Sequence, residues 1–168
     1  MRFKKWIKWT FIIIFLGIYM LPNPIKMPVQ GATRKDFHPD SFWYYPWGKS
    51  GTHKGIDIFA KRSTPILSST RGLVIYTGSI SMGGNIVLVL SPRWQLHYYA
   101  HLEKTDIGLF SFVNQNTSIG TVGDSGNAKG KPTHLHYSIV SLVPYPWRID
   151  SSPQGWKKMF YIDPSKHF

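Results

Sequence analysis

Residues 52–59 read THKGIDIF and residues 132–137 read PTHLHY. In both, polar side chains alternate with isoleucine or leucine, the period of a strand whose successive residues face opposite sides of a sheet. His53 and Asp57 stand four apart, and His134 and His136 two apart, so in extended chain each pair shares a face. A helix would also align positions four apart, but Gly55 and the two β-branched isoleucines favour strand. His53, Gly55, Asp57 and Phe59 are expected on one face, with Lys54, Ile56, Ile58 and Ala60 on the other. Leu135, Tyr137 and Ile139 likewise oppose His134 and His136. A carboxylate facing inward from an apolar strand is costly unless it is paired or holds a metal, and Asp57 has an imidazole at ligand spacing.

Outward from these two stretches the chain keeps the same character. RGLVIYTG (71–78), GGNIVLVLSP (83–92), WQLHYYAHLE (94–103) and TSIGTVGDSGN (117–127) are short runs rich in Val, Ile and Tyr, bounded by Gly, Pro, Asn and Ser. That is the strand signature, and no stretch sustains the 3.6-residue spacing of a long helix. A mainly β, antiparallel domain with irregular loops is predicted over 41–168, its aromatic and Pro-rich tail, Pro144–Phe168, wrapping the sheet. Residues 22–40, punctuated by proline without periodicity, read as a linker.

Residues 1–21 differ from the rest. MRFKKWIK carries four positive charges, and Trp9–Leu21 is an uncharged run of 13 residues. A basic start before an apolar run is an export pattern whose positive side stays in the cytoplasm. The run is shorter than the roughly 20 residues of an average span, yet PNPIKMPVQGA after it offers no small-x-small cleavage site. Extension to Trp6, with Lys8 reaching back to the interface, makes an uncleaved signal-anchor or membrane helix the expected form. The folded domain would then lie on the periplasmic or extracellular side, with secretion after signal cleavage as the alternative.

The 168 residues include 42% hydrophobic ones and no cysteine, which excludes a disulfide framework and leaves His and carboxylates as the ligands for any transition metal. Without the four basic residues of the start, 16 Lys and Arg face 8 Asp and Glu, a net charge near +8. Such a charge attracts polyanions. Export makes nucleic acid an unexpected partner, and no basic run is interleaved with aromatics as in a nucleic-acid module. The Gly-rich turn 120–130 lacks Gly-Lys-Ser/Thr and opens no helix, so it reads as a groove-forming loop. Of the seven histidines, His38, His97 and His167 are read without a site role.

HKGID, YYAHL and THLHY, in this order within about 85 residues, resemble the three signatures of the LytM or lysostaphin-type zinc metallopeptidases, and the likeness runs from about Pro46 to Val140. The resemblance implies one zinc per chain held by His53, Asp57 and His136, with His101 and His134 as catalytic residues. It also implies hydrolysis of peptide cross-bridges of bacterial peptidoglycan. Two positions depart from the family pattern: Gly51 stands where Arg is common, and Ser138 where an acidic residue is common. The chemistry of the residues agrees. Two imidazoles and a carboxylate leave the fourth tetrahedral position open for water, and peptide hydrolysis needs a proton acceptor and donors for the oxyanion. The alternative function is a catalytically inactive wall-binding or activator module on the same fold. The bond cleaved and any regulatory protein partner are left open by the sequence.

Overall fold

The computed structural model describes the backbone of residues 2–168 and the side chains from residue 6 on. One α-helix, α1 (Arg2–Met20), precedes nine strands: β1 (Ile56–Phe59), β2 (Pro65–Leu67), β3 (Gly72–Ile80), β4 (Gly84–Ser91), β5 (Gln95–Thr105), β6 (Phe112–Val113), β7 (Ser118–Val122), β8 (His134–Ser141) and β9 (Tyr161–Ile162). They join in one sheet with the main order β1-β8-β5-β4-β3-β6. Off that path β7 pairs with β5 and β2, and β9 with β8. Every strand pairing is antiparallel, as the sequence predicts.

Alternation along the strands sets the two faces. Ile56, Ile58, Leu135, Tyr137, Ile139, Tyr99, Val87 and Val89 are fully buried and form the core with Ile66, Ile119 and Val122. This is the face the isoleucines of THKGIDIF were expected to occupy. Asp57 and His136, directly opposite each other in the β1–β8 register, are displayed on the other face. The strand itself begins later than predicted, at Ile56. His53 lies before it, because its backbone N–H donates to the carbonyl of Tyr44 and its carbonyl accepts from Trp43, so a local pairing outside the sheet takes the place of the strand extension.

The stretch 22–40, read as a linker, is packed. The N–H groups of Lys26 and Gln30 donate to Ser69 and Pro65, and that of Leu67 to Pro28, which seats Val29 and Phe37 in the core. The tail after Pro144 wraps the sheet through 3-10 turns and β9, as expected. The N-terminal segment is helical, but among the described residues no helix is long and apolar enough to cross a membrane. The physical reason is the short apolar run with Lys8 inside the helix. The membrane-helix reading of this segment thus finds no support among the described residues. Toward its C-terminal end α1 rests on the turn between β4 and β5: Phe15 stacks on Trp94 with centroids 4.9 Å apart, and the Trp94 indole N–H donates to the Phe15 carbonyl at 3.1 Å.

His97 is fully buried beneath the sheet, its Nδ1 2.6 Å from the Tyr137 hydroxyl and its Nε2 3.0 Å from Ser91 Oγ. Both ring nitrogens are satisfied within the core. Burial pulls its pKa down to about 3, whereas the unfolded chain titrates near 6.5. Between these values the unfolded state binds a proton that the native state refuses, so stability present above pH of about 6.5 is lost as the pH falls toward 3. His97→Gln should remove this contribution. In urea titrations from pH 7 to 4, the stability difference between wild type and His97→Gln should shrink or reverse on acidification; a difference constant with pH would contradict the buried neutral ring.

Candidate active site

The register of three strands builds the centre. Asp57 on β1 lies opposite His136 on β8, and His136 lies opposite Ala100 on β5, one residue before His101. His134, two residues earlier on β8, faces Phe59. His53 enters from the loop before β1. Gly55 explains why that loop passes so close: a Cβ there would meet Ser138 Oγ at 2.4 Å, the Tyr137 carbonyl at 2.5 Å and His136 Cε1 at 3.0 Å. Only a residue without a side chain lets the first motif lie against β8.

Three donor atoms meet at one point. His53 Nε2 is 3.0 Å from Asp57 Oδ1 and 3.1 Å from His136 Nδ1, and His136 Nδ1 is 2.8 Å from Asp57 Oδ1. The far nitrogen of His53 is held at 2.9 Å by the carbonyl of Ser41. A carbonyl can only accept, so the ring proton sits on Nδ1 and the Nε2 lone pair points into the cluster. His136 is arranged the opposite way round, with Nε2 3.0 Å from Ser138 Oγ and Nδ1 toward the cluster. The His53 lone pair and the Asp57 oxygen, both acceptors 3.0 Å apart, repel unless a proton or cation lies between them. The edge of a tetrahedral zinc site with two N ligands and one O is roughly 3.3 Å, close to these separations. The donor set and the outward hydrogen bonds that orient it fit zinc, and His53, Asp57 and His136 form the potential metal group. Burial pushes the Asp57 carboxyl up, but the facing His136 and His53 rings outweigh it and hold it well below the usual carboxylate range; burial keeps His136 low.

His101 and His134 stand beside this group. Their rings are 5.1 Å apart, edge to face, and His101 is 6.1 Å from the His136 ring. Each fixes its Nδ1 on a backbone carbonyl, His101 on Ser125 at 2.9 Å and His134 on Pro132 at 2.8 Å, which leaves Nε2 for chemistry. His101 holds a left-handed backbone, φ 66, a conformation costly for a residue with a side chain. Burial lowers its pKa to about 4. His53, His101, His134, His136 and Asp57 line one cleft of about 700 Å³, and His38, His97 and His167 do not line it.

Sequence reasoning missed the supports. Trp47 stacks on His53 at 4.2 Å with planes 28° apart, Tyr98 approaches the His136 ring edge-on at 6.1 Å, and Ser138 orients His136. Only Ser138 carried a signal, as the residue sharing the strand face with His134 and His136. Gly55→Ala should displace His136 and the Tyr137 backbone, and so weaken zinc affinity by about tenfold or more, within the usual 10–100-fold range for outer-shell changes. Competition with a chelator measures this; unaltered affinity would mean the close approach is dispensable.

Residues 51–145 match the model of peptidase family M23. The chain is 35% identical over 101 residues to cell division protein DipM of Caulobacter vibrioides, covering 58% of this chain and 17% of that protein. It is 30% identical over 116 residues to peptidoglycan DD-endopeptidase ShyA of Vibrio cholerae, covering 68% and 26%. The chain thus spans about a quarter or less of these relatives' length. Among solved structures, the catalytic domain of lysostaphin from Staphylococcus simulans superposes with a TM-score of 0.56 at 26% identity, covering 60% of this chain and 77% of that one. With the motif residues gathered at one centre, the conclusion is that this chain belongs to peptidase family M23.

Proposed function

We propose that the chain is an exported zinc endopeptidase that hydrolyses peptide cross-bridges of bacterial peptidoglycan. The observation that carries this reading is the pairing of a three-donor group, His53, Asp57 and His136, with two further imidazoles, His101 and His134, whose Nε2 atoms are left free beside it. Relatives named as peptidoglycan endopeptidases support the substrate class. Export is supported by the basic and then apolar start, and the catalytic domain would work outside the cytoplasm. An inactive wall-binding module has no use for five intact positions, and the endopeptidase reading is therefore preferred.

Zinc, when held by the three donors, supplies a Lewis acid that lowers the pKa of a coordinated water to about 7. The chain's own residues do the rest. Ser41 and Ser138 lock the ligand rings so that little reorganisation is needed. His101 enters the reaction neutral because burial holds its pKa near 4, so its Nε2 can accept a proton. His134 presents Nε2 from the neighbouring position on β8. Between them the two rings take a proton from the attacking water, hydrogen-bond the developing oxyanion and return a proton to the departing amine.

The division of labour within β8 is directly testable. His136→Ala should lose both tight zinc and activity. His134→Ala should keep close to one zinc per chain while losing activity by about 10² or more, and His101→Ala should behave alike. The double His101/His134 change should cost far less than the product of the two single losses. Metal content measured beside release of peptides from purified peptidoglycan decides the matter; recovery of His134→Ala activity on adding zinc would make His134 a ligand and overturn the assignment.

A further inference from the structure

Both rims of the cleft are cationic. Lys49 and Lys54 come from the 47–54 loop on one side, and Lys131 from the 126–133 loop on the other; all three line the cavity. Among the described residues the only carboxylate lining it is Asp57, already part of the donor group. Among the described residues the ion pairs join Arg62 to Glu103 and Asp124, Lys104 to Asp106, and Lys158 to Asp150, and none reaches the three cleft lysines. Lys54 Nζ is steadied by the carbonyls of Ser50 and Thr52, which accept hydrogen bonds but leave its charge unneutralised. The cleft floor and walls add Trp47, Phe59 and Met82, and a volume of about 700 Å³ exceeds what a glycine backbone alone would fill.

From this arrangement we infer that the site selects a peptide bearing free carboxylates on both sides of the scissile amide. A direct cross-link between acidic stem peptides has that chemistry, and a neutral oligoglycine bridge does not. The inference rests on the endopeptidase reading above and narrows its substrate. Uncompensated cations on opposite rims would hold an acidic peptide across the centre and draw it in from solution. They give a neutral peptide no comparable advantage. Lys49 and Lys131 are exposed, so each should contribute modestly and be screened by salt.

The test uses the full-length, zinc-loaded protein and three synthetic peptides: a cross-linked dimer with free carboxylates, the same dimer with those groups amidated, and pentaglycine. Cleavage is followed by chromatography, and binding separately by the tryptophan fluorescence of the cleft. The carboxylate dimer should be cleaved with kcat/KM at least about tenfold above the other two and lose that margin as salt is raised. Lys49→Gln and Lys131→Gln should each raise KM for the carboxylate dimer roughly two- to fivefold and leave the amidated dimer unaffected. Equal or preferred cleavage of pentaglycine or of the amidated dimer, or lysine changes without effect on KM, would overturn the inference while leaving the endopeptidase reading intact. If the zinc-loaded chain cleaves none of the peptides and no peptidoglycan, the endopeptidase reading fails. Tighter fluorescence-detected binding of the acidic dimer would then still uphold the charge selection, and equal binding would end it.

Discussion

Three candidate ligand atoms held within hydrogen-bond distance of one another are the constraint around which this structure is organised. His53 Nε2 has no proton to offer Asp57 Oδ1, because the Ser41 carbonyl holds the ring proton on Nδ1, so two acceptors face each other at 3.0 Å with His136 Nδ1 beside them. Such a cluster exists at a tolerable free energy only where a cation neutralises it or a rigid frame holds it ready for one. The frame is the sheet: β1, β8 and β5 are hydrogen-bonded neighbours, and their shared register puts Asp57, His136 and Ala100 in one row. The core beneath, with Ile56, Ile58, Leu135 and Tyr137 fully buried, prevents that row from relaxing.

His101 and His134, the imidazoles proposed as catalytic, depend on the same frame in a different way. Their positions follow from β5 and β8, but their tautomers follow from loops, through the carbonyls of Ser125 and Pro132. His101 also keeps a positive φ, a strained backbone that the surrounding sheet tolerates at the place where chemistry needs it. The proposed metal ligands and the proposed proton-transfer residues are therefore neighbours with separate supports, so a change is expected to be able to disable one role without the other.

Much of this was legible in the sequence, for a specific reason. A period of two places alternate residues on one face, so the histidines of THLHY and the Asp57 of HKGID declared their common side, and the buried isoleucines declared the opposite one. His53 was harder. Its spacing from Asp57 fits a strand, but its backbone is taken up by Trp43 and Tyr44, far enough away in composition and pattern that no local rule announces the pairing. The packing of Val29 and Phe37 was hidden because proline-punctuated chain without periodicity looks alike whether docked or free. Trp47 and Ser41 support the ligands from loops, where spacing carries no geometric meaning. The segment Arg2–Met20 is helical, and among the described residues no helix is long and apolar enough to cross a membrane.

The central claim, that zinc is held by His53, Asp57 and His136 while His101 and His134 stay off the metal, is tested most directly by zinc X-ray absorption on the loaded protein and its His134→Ala and His136→Ala variants. Wild type should give two imidazole nitrogens and two oxygens, one carboxylate and one water, at distances of about 2.0–2.2 Å. His134→Ala should give the same spectrum, and His136→Ala should lose an imidazole contribution or the metal itself. A wild-type centre with three or more imidazoles, or one that changes when His134 is removed, would contradict the account.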